Sequence, residues 1–173
     1  LVAGRHPLDV AESLYAHGHN IDRDRFEVLT GRRTSDPEGT FPAWARAWMQ
    51  PDLPPAASLD TLAGLVHHLA DAWDRRGAID VVLVHYDDLT ADLSGQMRLL
   101  AHELGISVTE ERWPALVDAA GFASMRERAE LLAPDRLGVL ERPTDFFRAA
   151  SSERAASSLP PCACPRRCAG RRA

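Results

Sequence analysis

The sequence predicts an α/β fold, a small parallel sheet flanked by helices, and three observations predict it. The apolar run Leu1-Val2-Ala3-Gly4 leads through Arg5-His6 into a segment of helical spacing that opens on Pro7. A second run, residues 79–86, is rich in valine and almost continuously apolar, as expected of a strand buried on both faces. Amphipathic segments of helical period separate and follow the two runs, and alternation of strand and helix is the pattern of a parallel sheet with helical crossovers. The strands are expected at residues 1–4 and 81–85. Ligands in such sheets sit beyond the carboxyl ends of the strands, which is where Arg5 and Tyr86 both fall.

In chain order, residues 7–17 form the first helix. Proline is tolerated at the first helical position, where its missing N–H would have been unpaired, and the free N–H groups there make that end electropositive. Val10, Leu14 and His17 lie at spacings of four and three and are expected to share one stripe. Arg5 on the strand side and Ser13 on the helix side are placed to grip one phosphate, the guanidinium as a fork and the hydroxyl as a neutral donor. Alone, the pattern fits equally an ordinary strand-to-helix turn with a solvated arginine.

Residues 18–20 end this helix, 22–29 form a short second one, and 30–41 read as a surface loop. A helix over 41–49 places Trp44 and Trp48 on one side, as core rather than as a ligand platform. Residues 51–57 are proline-rich and break the chain. Ser58 then caps a long helix running to Arg75, with Leu59, Leu62, Leu65, Leu69 and Trp73 as its apolar stripe. Adjacent His67 and His68 point about 100° apart on such a helix, which suits solvated or core-edge positions better than a shared metal. Asp87-Asp88 after the second strand are read as an N-cap in preference to an acid–base pair.

The segment Arg5-His6-Pro7-Leu8-Asp9-Val10-Ala11-Glu12-Ser13-Leu14-Tyr15 resembles the 3′-phosphate-binding segment of the cytosolic-type sulfotransferases that use 3′-phosphoadenosine-5′-phosphosulfate (PAPS). Further partial matches follow in the family's order. Residues 81–89 resemble the strand ending in Tyr-Glu-Asp-Leu, with Tyr86 as the tyrosine, and 97–106 the helix after it. Phe122-Ala123-Ser124-Met125 resembles the Ser-Phe-x-x-Met segment, and Phe146-Phe147-Arg148 the start of Phe-x-Arg-x-Gly. The resemblance implies that Arg5, Ser13 and Arg148 hold the 3′-phosphate and that Tyr86 contacts adenine. It implies a P-loop-like parallel sheet, PAPS as co-substrate, no metal, and transfer of a sulfuryl group to a hydroxyl or amine of a small-molecule acceptor. The family's N-terminal strand, phosphosulfate loop and catalytic base lie upstream of the Arg-x-Pro segment. Residues 1–148 are therefore read as a partial domain, inactive alone, with no catalytic residue assigned. The alternative is a non-catalytic nucleotide-binding remnant or a helical interaction module.

A chain of 173 residues suffices for one domain and normally buries roughly 70% of its unfolded surface. Hydrophobic residues at 45% with 26% charged indicate a globular chain, and no apolar run nears the roughly 20 residues that cross a bilayer. The start carries neither a methionine nor the pattern of a signal peptide, so a fragment of a cytoplasmic protein is expected, without membrane or nucleic-acid partners. Oligomeric state is not set by the sequence.

All twenty basic residues are arginine, as in a GC-rich genome. From residue 149 onward five arginines face one acid, in a chain whose net charge is −5, and all three cysteines, Cys162, Cys164 and Cys168, appear together. Thiols and arginines suggest zinc or nucleic acid, but the spacing is not a paired C-x-x-C arrangement and there is no apolar period. Residues 149–173 are read instead as a disordered tail, produced by a shifted reading frame.

Overall fold

The computed structural model describes residues 1–50, 54–58, 60–78 and 81–148. Strand β1 (Val2–Gly4) pairs in parallel with β2 (Leu83–His85), setting Val2 opposite Leu83, Ala3 opposite Val84 and Gly4 opposite His85. The parallel pairing is as expected, but burial of the second strand on both faces is not. Leu83 is 37% exposed and Val84 only half-buried. A sheet two strands wide offers little for a second helical layer to cover, and neither neighbouring strand nor full cover is present among the described residues. Ile79 and Asp80 lie outside those residues.

Three helices pack on one another beside β1: α1 (Pro7–Gly18), α3 (Phe41–Met49) and α4 (Leu62–Asp74). Their contact is lined by small side chains, with Ala11, Ala45 and Ala72 almost fully buried, so the backbones approach closely. Trp48 is buried among them and donates its indole N–H to the Asp60 carbonyl at 2.6 Å. Trp44 stacks on Trp48 at 6.3 Å, and Tyr15 meets both Phe41 and Trp44. The two tryptophans thus serve the core side, as their spacing implied.

Between α1 and α3 lies α2 (Arg23–Thr30), capped by the Asp22 carboxylate and ended by Gly31 at φ 67°. The loop after it is pinned to the end of α1. Tyr15 donates to the Gly39 carbonyl at 2.9 Å, and the Arg23 guanidinium reaches both the Gly18 carbonyl and Asp36. Pro37 lies so close to Gly18 that a Cβ there would collide with its ring.

Two caps differ from expectation. Helix α4 starts a turn later than Ser58, because Thr61 Oγ1 accepts the Gly64 N–H at 3.2 Å while its own proton goes to the Ser58 carbonyl. Ser58 spends its hydroxyl on Asp60. Along α4, Gly64 and Ala72 are buried, whereas Trp73 is 59% exposed under the Arg76 guanidinium. The stripe therefore runs one residue away from Trp73, and Leu59 falls outside the described residues. His67 and His68 are exposed. After β2, helix α5 (Tyr86–Ala91) is capped by His85, whose Nδ1 accepts the Asp87 N–H at 3.3 Å. Asp87 and Asp88 occupy the first turn, where acids favour the helix dipole, and are not its cap.

Helices α6 (Leu93–Glu103), α7 (Trp113–Ala120), α8 (Phe122–Glu127) and α9 (Ala129–Leu132) follow. Arg98 of α6 forks onto Glu110 at 2.7 and 2.8 Å and lies over the buried Trp113 ring. The last described segment turns back to α1. Ile21 and Leu140 form an antiparallel bridge, Asp22 N–H donates to Val139 O, and Glu141 N–H to Asn20 O. A 3₁₀ turn (Pro143–Phe146) then carries the chain to Arg148. The cysteine-containing stretch 149–173, expected to be disordered, lies outside the described residues. Among the described residues no helix is long and apolar enough to cross a membrane.

Candidate functional site

A cleft of about 320 Å³ opens where β1, β2 and the last turn meet, and Arg5, Ser13, Tyr86 and Arg148 all line it. The four residues come from three separated parts of the chain. Arg5 stands in the turn after β1, and its guanidinium lies 4.4 Å from the centre of the Tyr86 ring. Tyr86 is the first residue of α5, delivered there because β2 runs parallel beside β1. This stacking holds the arginine's plane against an aromatic face, a contact worth roughly 0.5–1 kcal/mol at an exposed site and more when desolvated.

The floor of the cleft is one face of α1. Asp9, Ser13 and His17 lie four residues apart, so their side chains rise from successive turns on the same side, with Glu12 beside them. His17 therefore does not belong to the apolar stripe expected with Val10 and Leu14; its ring packs at 4.8 Å on Phe146. Burial, and then the nearby Arg148 charge, hold the His17 pKa below its ordinary value, so the ring sits neutral near pH 7. Asp9 is 3% exposed, and its Oδ2 accepts no hydrogen bond among the described residues. The N-terminus of α1 is closed by His6, whose Nδ1 accepts the Leu8 N–H.

Phe122 and Met125 of α8 and the Phe146–Phe147 pair supply the apolar walls. Arg148 Nη2 lies 3.9 Å from Glu12 Oε1, and these two side chains also border a second cleft on the Tyr15 side of α1. The arrangement suits an aromatic, multiply anionic ligand. Two guanidiniums and a hydroxyl converge from different directions, rings offer flat apolar surface, and an entering anion would take Arg148 from Glu12 by exchange. No group of three or more potential metal ligands is found among the described residues.

All four residues singled out from the sequence are thus brought together, and Asp9, Glu12 and His17 were missed. Part of their signal was present, since Asp9, Ser13 and His17 advance by four along one face of α1, with Glu12 next to Ser13. Phe122, Met125, Phe146 and Phe147 stood in the recognised segments without a role assigned to them.

The model of the sulfotransferase domain family matches residues 1–154. The chain belongs to the sulfotransferase domain family. Its relatives include glycolipid sulfotransferases of Mycobacterium tuberculosis, strain H37Ra, and of Mycobacterium bovis, strain BCG. Each is 32% identical, with 88% of this chain matched to 53% of the relative. This sulfotransferase domain spans about half the length of the curated relatives it matches. Among solved structures, mouse sulfotransferase SULT7A1 complexed with PAP superposes with a TM-score of 0.68 at 15% identity, over 92% of this chain and 51% of that one. That likeness gives the sulfotransferase fold, of which the β1–β2 pair and its helices are the part described here.

Proposed function

We propose that this sulfotransferase domain binds the nucleotide end of PAPS and contributes to sulfuryl transfer onto a hydroxyl or amine of a small acceptor. The observation that carries the reading is the meeting of Arg5, Ser13, Tyr86 and Arg148 on one cleft, with Arg5 stacked on Tyr86. When bound, PAPS supplies an activated sulfuryl group and leaves as adenosine 3′,5′-bisphosphate. Arg5 and Arg148 neutralise the 3′-phosphate, Ser13 donates a hydrogen bond to it, and Tyr86 with Phe122 offers rings to the adenine. In the ligand-free cleft burial and Arg148 hold the His17 pKa below its ordinary value, which disfavours a further positive charge at the base of the site.

These residues bind and orient; none of them is assigned to the proton of the acceptor. The sequence holds no lysine, so the phosphosulfate-loop lysine that the family resemblance implies has no counterpart within these 173 residues. The reading is of a nucleotide-gripping half that does not turn over by itself. The glycolipid sulfotransferase names of the relatives support a glycolipid hydroxyl as acceptor, and a cytoplasmic setting fits a nucleotide co-substrate.

Calorimetric titration with adenosine 3′,5′-bisphosphate tests the site. Arg5→Ala should abolish detectable binding, since losing a paired charge contact costs about 2–5 kcal/mol. Arg76→Ala, whose guanidinium lies on Trp73 away from the cleft, should leave it unchanged. Tyr86→Phe should retain most of the affinity and Tyr86→Ala should lose it. Equal loss in the Arg5 and Arg76 variants would reduce the binding to general charge attraction. Acceptor-dependent release of the bisphosphate from PAPS by the purified chain, sensitive to Arg5→Ala, would overturn the non-catalytic assignment.

A further inference from the structure

Arg148 lies 135 positions from Ser13 in sequence, yet both must face one ligand if the cleft holds a phosphate. The described structure places a specific device between them. Asn20 follows the end of α1 by two residues and is 4% exposed. Its side-chain amide makes a reciprocal pair with one backbone unit: Nδ2 donates to Arg142 O at 2.9 Å, and Oδ1 accepts the Arg142 N–H at 2.9 Å. Its own carbonyl accepts the Glu141 N–H at 3.1 Å. The side chain thus extends the Ile21–Leu140 bridge by one further rung, as a strand residue would.

Arg142 is also the residue on which the 3₁₀ turn (Pro143–Phe146) begins. From that fixed point the turn sets Phe146 on His17 and leads within two residues to Arg148 beside Glu12. Both partner rings or charges, His17 and Glu12, belong to α1. We propose that Asn20 is a positioning residue for the anion site, tying the helix that carries Ser13 to the segment that carries Arg148. The proposal rests on the phosphate reading of the cleft and adds to it the element that fixes its two halves in register. An amide suits the site because the Arg142 unit presents one donor and one acceptor, and Asn20 answers both from two separate atoms of one planar group. Aspartate keeps the acceptor but sets a carboxylate against the Arg142 carbonyl.

A double-mutant cycle on the whole chain tests this, with adenosine 3′,5′-bisphosphate as probe. Arg148→Ala in the wild-type background should weaken binding about tenfold, the equivalent of about 1.4 kcal/mol. In an Asn20→Asp or Asn20→Ala background the same substitution should weaken it less than about twofold, because Arg148 is no longer held at the site. Hydrogen exchange at amides 142–148 should accelerate in the Asn20 variants, while α1 amides stay protected. Two background variants are used so that poor folding of the alanine variant leaves the aspartate cycle to decide. Additive losses, with Arg148→Ala costing the same tenfold in every background, would overturn the positioning role and leave the phosphate site standing. A wild-type chain that binds no bisphosphate would overturn the site itself and with it the role given to Asn20. In that case accelerated exchange at 142–148 would still report Asn20 as a purely structural strap.

Discussion

The two strand-to-helix turns of this domain use the same local chemistry to different ends. In both, a histidine stands at the strand-to-helix junction, His6 two residues beyond β1 and His85 as the last residue of β2, and its Nδ1 accepts the N–H two residues on at 3.3 Å. After β1 the helix runs for 12 residues, starts on Pro7 and buries Ala11 and Asp9. After β2 it runs for 6 residues and buries none. The first turn is therefore anchored in the packing of α1, α3 and α4 and can hold Arg5 and Ser13 in fixed positions. The second does little more than present one ring, Tyr86. Turn chemistry sets the direction in which the chain leaves a strand, and packing behind the helix decides how firmly that direction is kept.

Matched substitutions separate the two turns most sharply in the helix bodies. Ala11→Leu forces a larger side chain into a fully buried position and should cost about 1–3 kcal/mol by overpacking. Ala91→Leu, on the exposed end of α5, should stay within about 0.5 kcal/mol. Urea unfolding of both variants would measure the contrast, and equal costs would dissolve it. The caps come next. His6→Ala should lower global stability by about 1 kcal/mol, the usual value for a lost N-cap bond. The same change at His85 should be felt as faster hydrogen exchange within α5, with little change in the global melt.

A smaller effect belongs to α1 alone. Since the His17 pKa is lowered by burial and by Arg148, the unfolded chain takes up a proton on this ring below about pH 6.5 while the native chain does not until a lower pH. Stability is therefore lost as pH falls through that window and is unaffected above it. A His17→Gln variant should show a flatter stability profile between pH 5 and 7 than the wild type, and parallel profiles would show that the ring is solvated.

What the sequence disclosed was largely local. Arg5, Pro7 and Ser13 lie within nine residues, and the turn they build can be read from residue chemistry alone. Trp44 and Trp48 likewise declared their shared side through spacing. His17 was misassigned because a helix has two stripes here, one apolar and one facing the cleft, and the position satisfies the spacing of both. The α4 and α5 caps failed for a related reason. Ser58, Asp87 and Asp88 are all good cap residues, but Thr61 and His85 stand where the backbone turns, and nothing in composition fixes that point. The Asn20–Arg142 pairing could not be read at all. It joins a side chain to a backbone unit 122 positions away, and a backbone unit leaves no mark on residue identity.

The loop between α2 and α3 carries a consequence for how the chain can be lengthened. Its second half is fastened to α1 by Pro37 and Gly39 and to Arg23 at the start of α2 by Asp36, and the Pro37–Gly18 contact leaves no space for even one added carbon. Around Gly31 nothing lies within 4 Å of a built Cβ, and residues 31–35 are exposed. Extra residues are thus tolerable in the first half, where doubling a loop's length costs only about 0.6 kcal/mol in closure entropy. In the second half they would pull the fastening off the helix that floors the cleft. An inserted tag, peptide or domain belongs after Gly31, and the stretch from Asp36 to Gly39 must keep its length.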